Sequence, residues 1–290
     1  MRRYLDIFDF NGTPYLMLGD KVFYKRAGFI SPLGPVRFDY SISPSQARQA
    51  LRRLGGWLVQ WGDGFCEGET QWYAVVCDRF QTLSDAPSKH RCEINRGLRN
   101  CEVRHVDWEY LGRHGYDAYA KAPRRYRGKT PALRSEQEFR RGRGHTSKFE
   151  DIIHPWAALH QGRVIAYAVA CVYGKIEANY TEVRLDPDYV KAYPVYALLH
   201  TMNRFYLADQ GFDYVYDGYR STGHDTNFQE FLMKKFGFRK AFSHLHIVYR
   251  RELALFLKVT YPVRVLTARL AKRVEQLYVL EGIRRSCECQ

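Results

Sequence analysis

Phe231-Leu232-Met233-Lys234-Lys235-Phe236-Gly237-Phe238-Arg239-Lys240 is the most informative run of ten in this 290-residue chain. It closes Asn227 to Phe236, whose apolar spacing reads as a helix, and leads into Ala241 to Tyr249, which reads as a strand. The pattern upstream is equally orderly. Ala157 to His160 and the nearly continuous apolar run Val164 to Val172 read as strands joined at Gly162, and Ile176 to Leu185 follows across Tyr173-Gly174-Lys175 as a third. Val195 to Leu207 is helical by its spacing and Tyr214 to Tyr216 a short strand, so the order is β-β-β-α-β-α-β. Downstream, Pro262 starts a basic amphipathic helix through Leu280 with Val265, Leu266, Leu270, Val274 and Leu277 on one face. Core or partner packing is the simpler reading of that stripe, while Arg264, Arg269, Lys272 and Arg273 keep an interfacial one open.

Before Ser88 the chain reads as mixed α and β. Short apolar runs, Tyr4 to Phe10, Pro14 to Leu18 and Lys21 to Tyr24, alternate with Gly and Pro and read as strands and turns. Ser43 as N-cap and Pro44 at the first helical position open a helix through Leu54, and Trp57 to Trp61 and Trp72 to Val76 read as strands. Between Ser88 and Glu150 the composition shifts to 16 Lys or Arg against 8 Asp or Glu, with helices expected at Lys89 to Leu98, Trp108 to Ala122 and Glu136 to Phe149. The interleaved Pro123-Arg124-Arg125-Tyr126-Arg127-Gly128-Lys129 reads either as a solvated basic face or as a surface for phosphates and stacked bases.

At 46% apolar and 15% aromatic the chain can bury a substantial core, which excludes disordered, collagenous and coiled-coil classes. No stretch approaches the roughly 18 to 20 uninterrupted apolar residues of a membrane helix, and the first residues lack a signal peptide's apolar core, so a soluble cytoplasmic protein is expected. Seven scattered cysteines without a CxxC pair suggest neither a disulfide framework nor a zinc ribbon. The net charge of +14 would attract a polyanion: nucleic acid, anionic lipid, a phosphorylated cofactor or an acidic carrier protein.

The element order resembles the acyltransferase fold of the GCN5-related N-acetyltransferases (GNAT). Phe231 to Lys240 is similar to that superfamily's "LYEKxGF" ending of the fourth helix, and Asn227 stands near the Asn that commonly opens it. Ser88-Lys89-His90-Arg91 with Ile94-Asn95-Arg96-Gly97-Leu98 resembles the "S-K-x-R-x-x-I-R-x-G" feature of the Fem-like branch, nonribosomal peptidyltransferases that tend to carry two such folds in tandem. Tyr216-Asp217-Gly218 is similar to that branch's "YDxGG" strand end. The resemblance covers about Ser88 to Arg250. It implies an α/β (α+β) protein of GNAT type, with a degenerate half at 1–85, a basic helical segment at 86–150, a second half at 151–250 and a C-terminal helix and tail at 251–290. Two departures stand out. The family's pyrophosphate loop, R-x-x-G-x-G/A, should follow Arg184, but Arg184-Leu185-Asp186-Pro187-Asp188-Tyr189 has no glycine. The tyrosine that often protonates the leaving thiolate aligns at Met233.

Amide formation needs a free amine beside an activated carbonyl, a proton acceptor and donors to the developing oxyanion. The resemblance places a splay between Val164 to Val172 and Ile176 to Leu185, where freed N–H groups of Ala168, Val169, Ala170 and Cys171 would bind the donor. The densest polar stretch is Asp217 to Asn227. Asp217 or His224 could accept the amine's proton and Arg220 hold a phosphate or carboxylate. The plain alternative is helix capping by Asp225 or Thr226, turns at Gly218 and Gly223, and a buried-backbone role for Asp217. Glu182, on the face shared with Ile176, Ala178 and Tyr180, is a further base if its pKa is raised, or an ion-pair partner of Arg184 or Lys175. Lys234 and Lys235 could neutralise a donor phosphate, or simply face solvent, and Cys171 reads as a core residue rather than a nucleophile. His244 and His246 lack a third ligand, so no metal is expected. The expectation is an N-acyltransferase with a thioester donor, acyl-CoA or acyl carrier protein, and an amine acceptor on a small molecule, peptide or protein. The alternatives are an aminoacyl-tRNA-dependent transferase, and a non-catalytic nucleic-acid-binding module. Arg124, Arg125 and Arg127 would contact a carrier protein or RNA.

Overall fold

The computed structural model describes residues 2–125, 132–222, 227–264 and 272–288. In chain order the helices are α1 (Arg2–Asn11), α2 (Pro44–Leu54), α3 (Ser88–Asn100), α4 (Trp108–His114), α5 (Tyr116–Lys121), α6 (Glu136–Thr146), α7 (Pro194–Asn203), α8 (Phe228–Phe236), α9 (Arg251–Thr260) and α10 (Lys272–Glu288). The strands are β1 (Tyr15–Leu18), β2 (Lys21–Arg26), β3 (Phe29–Pro32), β4 (Leu58–Asp63), β5 (Trp72–Cys77), β6 (Glu102–His105), β7 (Ile153–His160), β8 (Arg163–Tyr173), β9 (Glu177–Leu185), β10 (Tyr214–Tyr219) and β11 (Arg239–Tyr249). Among the described residues no helix is long and apolar enough to cross a membrane.

The chain forms two compact units. The first takes residues 1–74, 219–224 and 240–290, the second 75–218 and 225–239. The boundaries expected at 85/86, 150/151 and 250/251 therefore do not follow the packing. Residues 86–150 and 151–218 share one unit, and β11, expected in the C-terminal half, runs antiparallel to β4 of the first.

In the first unit β1, β2 and β3 form an antiparallel meander, and α2 returns the chain so that β4 lies parallel to β3. The expected start of α2 is realised in full: Ser43 and Gln46 form a reciprocal capping box, with Pro44 in the first turn and Gly55 in the left-handed conformation at the end. Ala47, Ala50 and Leu51 of α2 bury against Phe23, Ile30, Val59 and Trp61. Leu58, Trp72, Leu245 and Ile247 pack with Leu280 and Ile283 of α10 in a separate cluster. Leu277 joins that cluster, the core role expected of the C-terminal stripe, whereas Val265, Leu266, Arg269 and Leu270 lie outside the described residues. Tyr4 to Phe10 is a helix, not a strand. Phe8 stacks on Tyr24 of β2 at 5.0 Å, and a helical phase aligns Tyr4 with it one turn away.

The second unit repeats the plan. β7, β8 and β9 form an antiparallel meander flanked by β6, α7 returns the chain, and β10 pairs in parallel with β9. Trp108 and Leu111 of α4, Ala118 of α5 and Phe139 of α6 pack on Ala157, Leu159, Tyr167 and Val169. Helix α7 lies on α3, where Gly97 makes the approach possible: a Cβ there would stand 2.6 Å from the Tyr193 carbonyl oxygen and 3.0 Å from the Ala197 nitrogen. The motif glycine is thus a packing residue. Replacing Gly97 by Ala would stabilise a free helix by up to about 1 kcal/mol through propensity. Here backbone crowding prevails, and urea denaturation should show a loss of about 1 to 3 kcal/mol.

Candidate functional site

The site is set by where two parallel strands part. β10 pairs with β9 only through Tyr214, Val215 and Tyr216, opposite Glu177, Ala178 and Asn179. Just beyond, β9 carries an irregularity: Val169 faces Glu182 and Ala170 faces Tyr180, leaving Thr181 as an extra residue whose hydroxyl donates to the Val169 carbonyl at 3.2 Å. β9 runs on to Leu185 and β10 to Tyr219 without pairing to each other, so the crevice opens between Tyr180–Glu182 and Asp217–Gly218. Crevices at the carboxyl ends of parallel strands are where ligands enter open α/β sheets.

This corrects the expected splay between β8 and β9. Those strands are laddered from Ala166–Leu185 to Tyr173–Glu177, and β8 is laddered on its other side by β7. Ala168, Val169 and Ala170 are buried and committed to both partners, as is Cys171, paired with Ile153 and Asn179. Their backbone groups are not free for a donor. Burial also pushes the Cys171 thiol up to about 12, which makes it inert as a nucleophile at neutral pH.

The irregularity also moves Glu182. Tyr180 points to α7, where its hydroxyl donates to Asn203 Oδ1 at 2.8 Å in a buried contact. Glu182, opposite Val169, lies on the other face with the α4–α6 cluster. Its carboxylate accepts from the Tyr167 hydroxyl at 2.7 Å, Arg143 at 2.8 Å and Arg184 at 3.1 Å. Burial alone would raise its pKa, but Arg143, the Tyr167 hydroxyl and Arg184 hold it below the ordinary carboxylate range. The raised pKa considered for Glu182 is not found; it is an anchored ion-pair acceptor, and the shared face with Tyr180 is lost.

Asp217 sits in the second half of β10 beside Gly218, whose φ of +98° bends the strand before its last residue, Tyr219. Burial pushes its carboxyl up to about 8, with the Gln229 side chain of α8 pulling the other way. The Gln229 amide also reaches the Asp217 carbonyl at 3.4 Å. Met233 occupies the same helix and offers no proton. His224, the other expected base, and Arg127 lie outside the described residues, as do Gly223, Asp225 and Thr226. Asn227 begins α8 without a side-chain capping bond.

Other expected donor contacts are occupied. Lys235 is mostly buried, donates to Glu93 of α3 at 2.7 Å and lies 6.0 Å from the Tyr196 ring centroid, so it is not the solvent-facing lysine of the plain reading. Arg220 belongs to the first unit, where its guanidinium donates to the Gln71 carbonyl at 2.8 Å and covers the Tyr73 ring. Arg124 and Arg125 are exposed at the end of α5, Arg124 3.8 Å from Asp188.

The segment after β9 is acidic and self-satisfied. Asp186 is fully buried, and its carboxylate accepts from the Asp188 N–H at 3.1 Å and Lys121 at 2.9 Å. Lys121 also reaches Asp188 at 3.0 Å. The Asp186 N–H donates to Ile165, the Tyr189 N–H donates to the Asp186 carbonyl, and Pro187 and Pro194 have no N–H. A carboxylate therefore occupies the place where the family's loop would present N–H groups to a pyrophosphate.

Sequence reasoning did not single out the cationic face of α3. Lys89, Arg91, Arg96 and Arg99 are exposed along a helix that packs on α7 through Gly97 and is tied to α8 through Glu93–Lys235. The only sequence signal was the Ser88 to Leu98 motif, which gives no face. The first unit has a counterpart crevice at the ends of β3 and β4, a cavity of about 730 Å³ bordered by Arg37, Tyr40, Asp63, Glu67 and His244.

No protein-family model matches the chain, and no curated protein does. Solved structures do. FemX superposes with a TM-score of 0.58 at 9% identity, over 89% of this chain and 93% of FemX. The C-terminal domain of a protein assigned as lysylphosphatidylglycerol synthetase from Agrobacterium fabrum gives 0.53 at 13%, over 86% and 88%. At these identities the comparison establishes the fold alone: the chain shares the mixed α/β fold of FemX.

Asp217 gives this unit a pH signature. Its folded pKa, about 8, lies above the unfolded carboxylate value of 3.8, so folding disfavours the ionised form. Stability is fully retained below the unfolded value and is lost as pH rises through the folded one. Asp217→Asn removes the penalty and should raise Tm over wild type by roughly 2 °C or more near pH 9, with a smaller gain near pH 5, in paired thermal melts.

Proposed function

We propose that this chain is an amide-forming N-acyltransferase whose donor is an aminoacyl ester of tRNA. The observation that carries the donor is the Asp186–Tyr193 segment, which has no glycine and whose Asp186, Asp188, Tyr189 and Tyr193 N–H groups are already bonded within the protein. Those N–H groups are not available to a coenzyme A pyrophosphate. The cations lie instead along α3, which abuts both helices that border the crevice, a fit to a phosphate backbone rather than to one diphosphate. The shared fold with FemX supports the Fem-like side of the resemblance, and by its name the second neighbour makes an aminoacylated product. The thioester donor first expected from the superfamily's commonest chemistry is therefore placed second. A carrier protein remains its best form, since acidic carriers suit a basic helix.

In this reading the neutral acceptor amine enters the β9–β10 crevice beside Asp217. Its nitrogen attacks the ester carbonyl, forming the C–N bond while the C–O bond to the ribose breaks. The Asp217 carboxylate takes one proton from nitrogen and returns it to the departing ribose oxygen, so the enzyme is unchanged at the end. A carboxylate with pKa about 8 is a far stronger base than an exposed one and matches a proton transfer near neutrality. A ribose hydroxyl needs no phenol at position 233, because the same carboxyl supplies the proton.

The test is transfer of labelled amino acid from a charged tRNA pool to amine acceptors, run beside acyl-CoA and acyl carrier protein. Product from aminoacyl-tRNA alone is expected, with the wild-type rate climbing through about pH 8 and Asp217→Asn slower by about 100-fold or more and without that climb. Reversing charge at Lys89, Arg96 and Arg99 should weaken tRNA binding and flatten its salt dependence, leaving the pH profile intact. Turnover with acyl-CoA would overturn the donor. RNA binding with no product from any donor would leave a non-catalytic nucleic-acid-binding module.

A further inference from the structure

Helix α9 carries exposed apolar side chains. Leu257 is its buried anchor, while Leu255 is 64% exposed, Val259 65% and Phe256 39%, and Val263 in the turn that continues the helix is 48% exposed. Leu255, Val259 and Val263 recur at four-residue spacing with Phe256 beside them, which at 3.6 residues per turn makes one outward stripe opposite Leu257. Two exposed cations, Arg251 and Lys258, fall on the turns before and after Leu255 and line one side of the stripe. The helix's only acid, Glu252, is exposed on the stripe's side of the helix, one turn before Leu255 and Phe256, and pairs with Arg250 at 3.0 Å. A large exposed aromatic stands next to its first turn: Trp57 is 55% exposed, its carbonyl accepts from the Arg250 N–H, and the Arg250 guanidinium lies 5.5 Å from its ring centroid.

Scattered exposed hydrophobics are ordinary, but four large ones in a single stripe with a neighbouring indole and a cationic border are not. A partner protein of matching apolar surface would satisfy the stripe but gives no reason for the cations. A bilayer surface accounts for all three features. Aliphatic side chains enter the acyl boundary, Trp prefers the headgroup level, and Arg and Lys meet lipid phosphates. The net charge of +14 has the same sign preference. We infer that α9, with Trp57, is a peripheral membrane-binding surface for anionic lipid, a property that does not rest on the identity of the acyl donor.

The test uses the full chain and vesicles of phosphatidylcholine, alone or with about one third phosphatidylglycerol, in co-sedimentation. Binding to the anionic vesicles is expected. The double variant Leu255→Ser, Val259→Ser should reduce the partition coefficient at least about tenfold, since it removes the stripe and keeps every charge. Both positions are exposed, so its thermal melt should match wild type. Arg251→Glu with Lys258→Glu should lose the preference for anionic lipid. If the serine variant binds as well as wild type, attraction is merely electrostatic and the inference is overturned. It is equally overturned if wild type ignores both vesicles and the serine variant instead converts a dimer to a monomer in sedimentation equilibrium, which would make the stripe a contact between copies.

Discussion

One extra residue in β9 controls the second unit. With Thr181 inserted between the residues that face Ala170 and Val169, every side chain after it changes sides. Tyr180 stays with α7 and Glu182 goes to α4–α6. The same insertion coincides with the end of pairing to β10, since a bulged strand bends and twists away from its neighbour. The crevice and the changed face of Glu182 thus share one geometric origin.

That origin also separates two acidic groups of very different character. Glu182 is surrounded by Arg143, Tyr167 and Arg184, and its ionised form is held by three donors. Asp217 is desolvated with an amide as its counterweight, so nothing comparable stabilises its charge. Burial is common to both, and the presence of a guanidinium decides the sign. The contrast matters for function because a carboxylate tied into an ion pair is a poor proton acceptor, whereas one pushed toward neutrality is a good one.

Much of this fold was readable because its signals are local. The capping box at Ser43–Gln46 and the break at Gly55 are set by neighbours in sequence, and the β-β-β-α-β-α-β order follows from periodicity. What was not readable depends on register or on distant partners. Tyr4 to Phe10 mixes apolar and polar residues in a way that fits either phase, and only the stacking of Phe8 on Tyr24 selects the helix. The face of Glu182 required knowing that Thr181 is an insertion, which no property of a threonine announces. Lys235 read as a ligand for a donor phosphate or as a solvent-facing lysine because its partner, Glu93, is 142 residues away in the chain. Asp217 was legible as polar chemistry at a strand end, but its desolvation comes from packing.

The repeat explains why chemistry is argued for only one half. In each unit the strand after the returning helix pairs briefly in parallel with the third strand of the meander, Leu58-Val59 with Phe29-Ile30 and Tyr214 to Tyr216 with Glu177 to Asn179. Aligning Val59 with Val215 places Gly62 opposite Gly218 and Trp61 opposite Asp217. In the first half an indole therefore stands where the second has its carboxyl. Trp61 is 8% exposed and stacks on His246 at 5.1 Å, and the next carboxylate, Asp63, engages His246 at 2.8 Å. Gly62 is hemmed in as well: a Cβ there would stand 3.0 Å from the Tyr219 hydroxyl and 3.2 Å from Ser243 Oγ. The two halves share a backbone plan that makes a crevice in each. In the first, stacked rings fill the position aligned with Asp217, while Asp63, Glu67 and His244 border the cavity nearby.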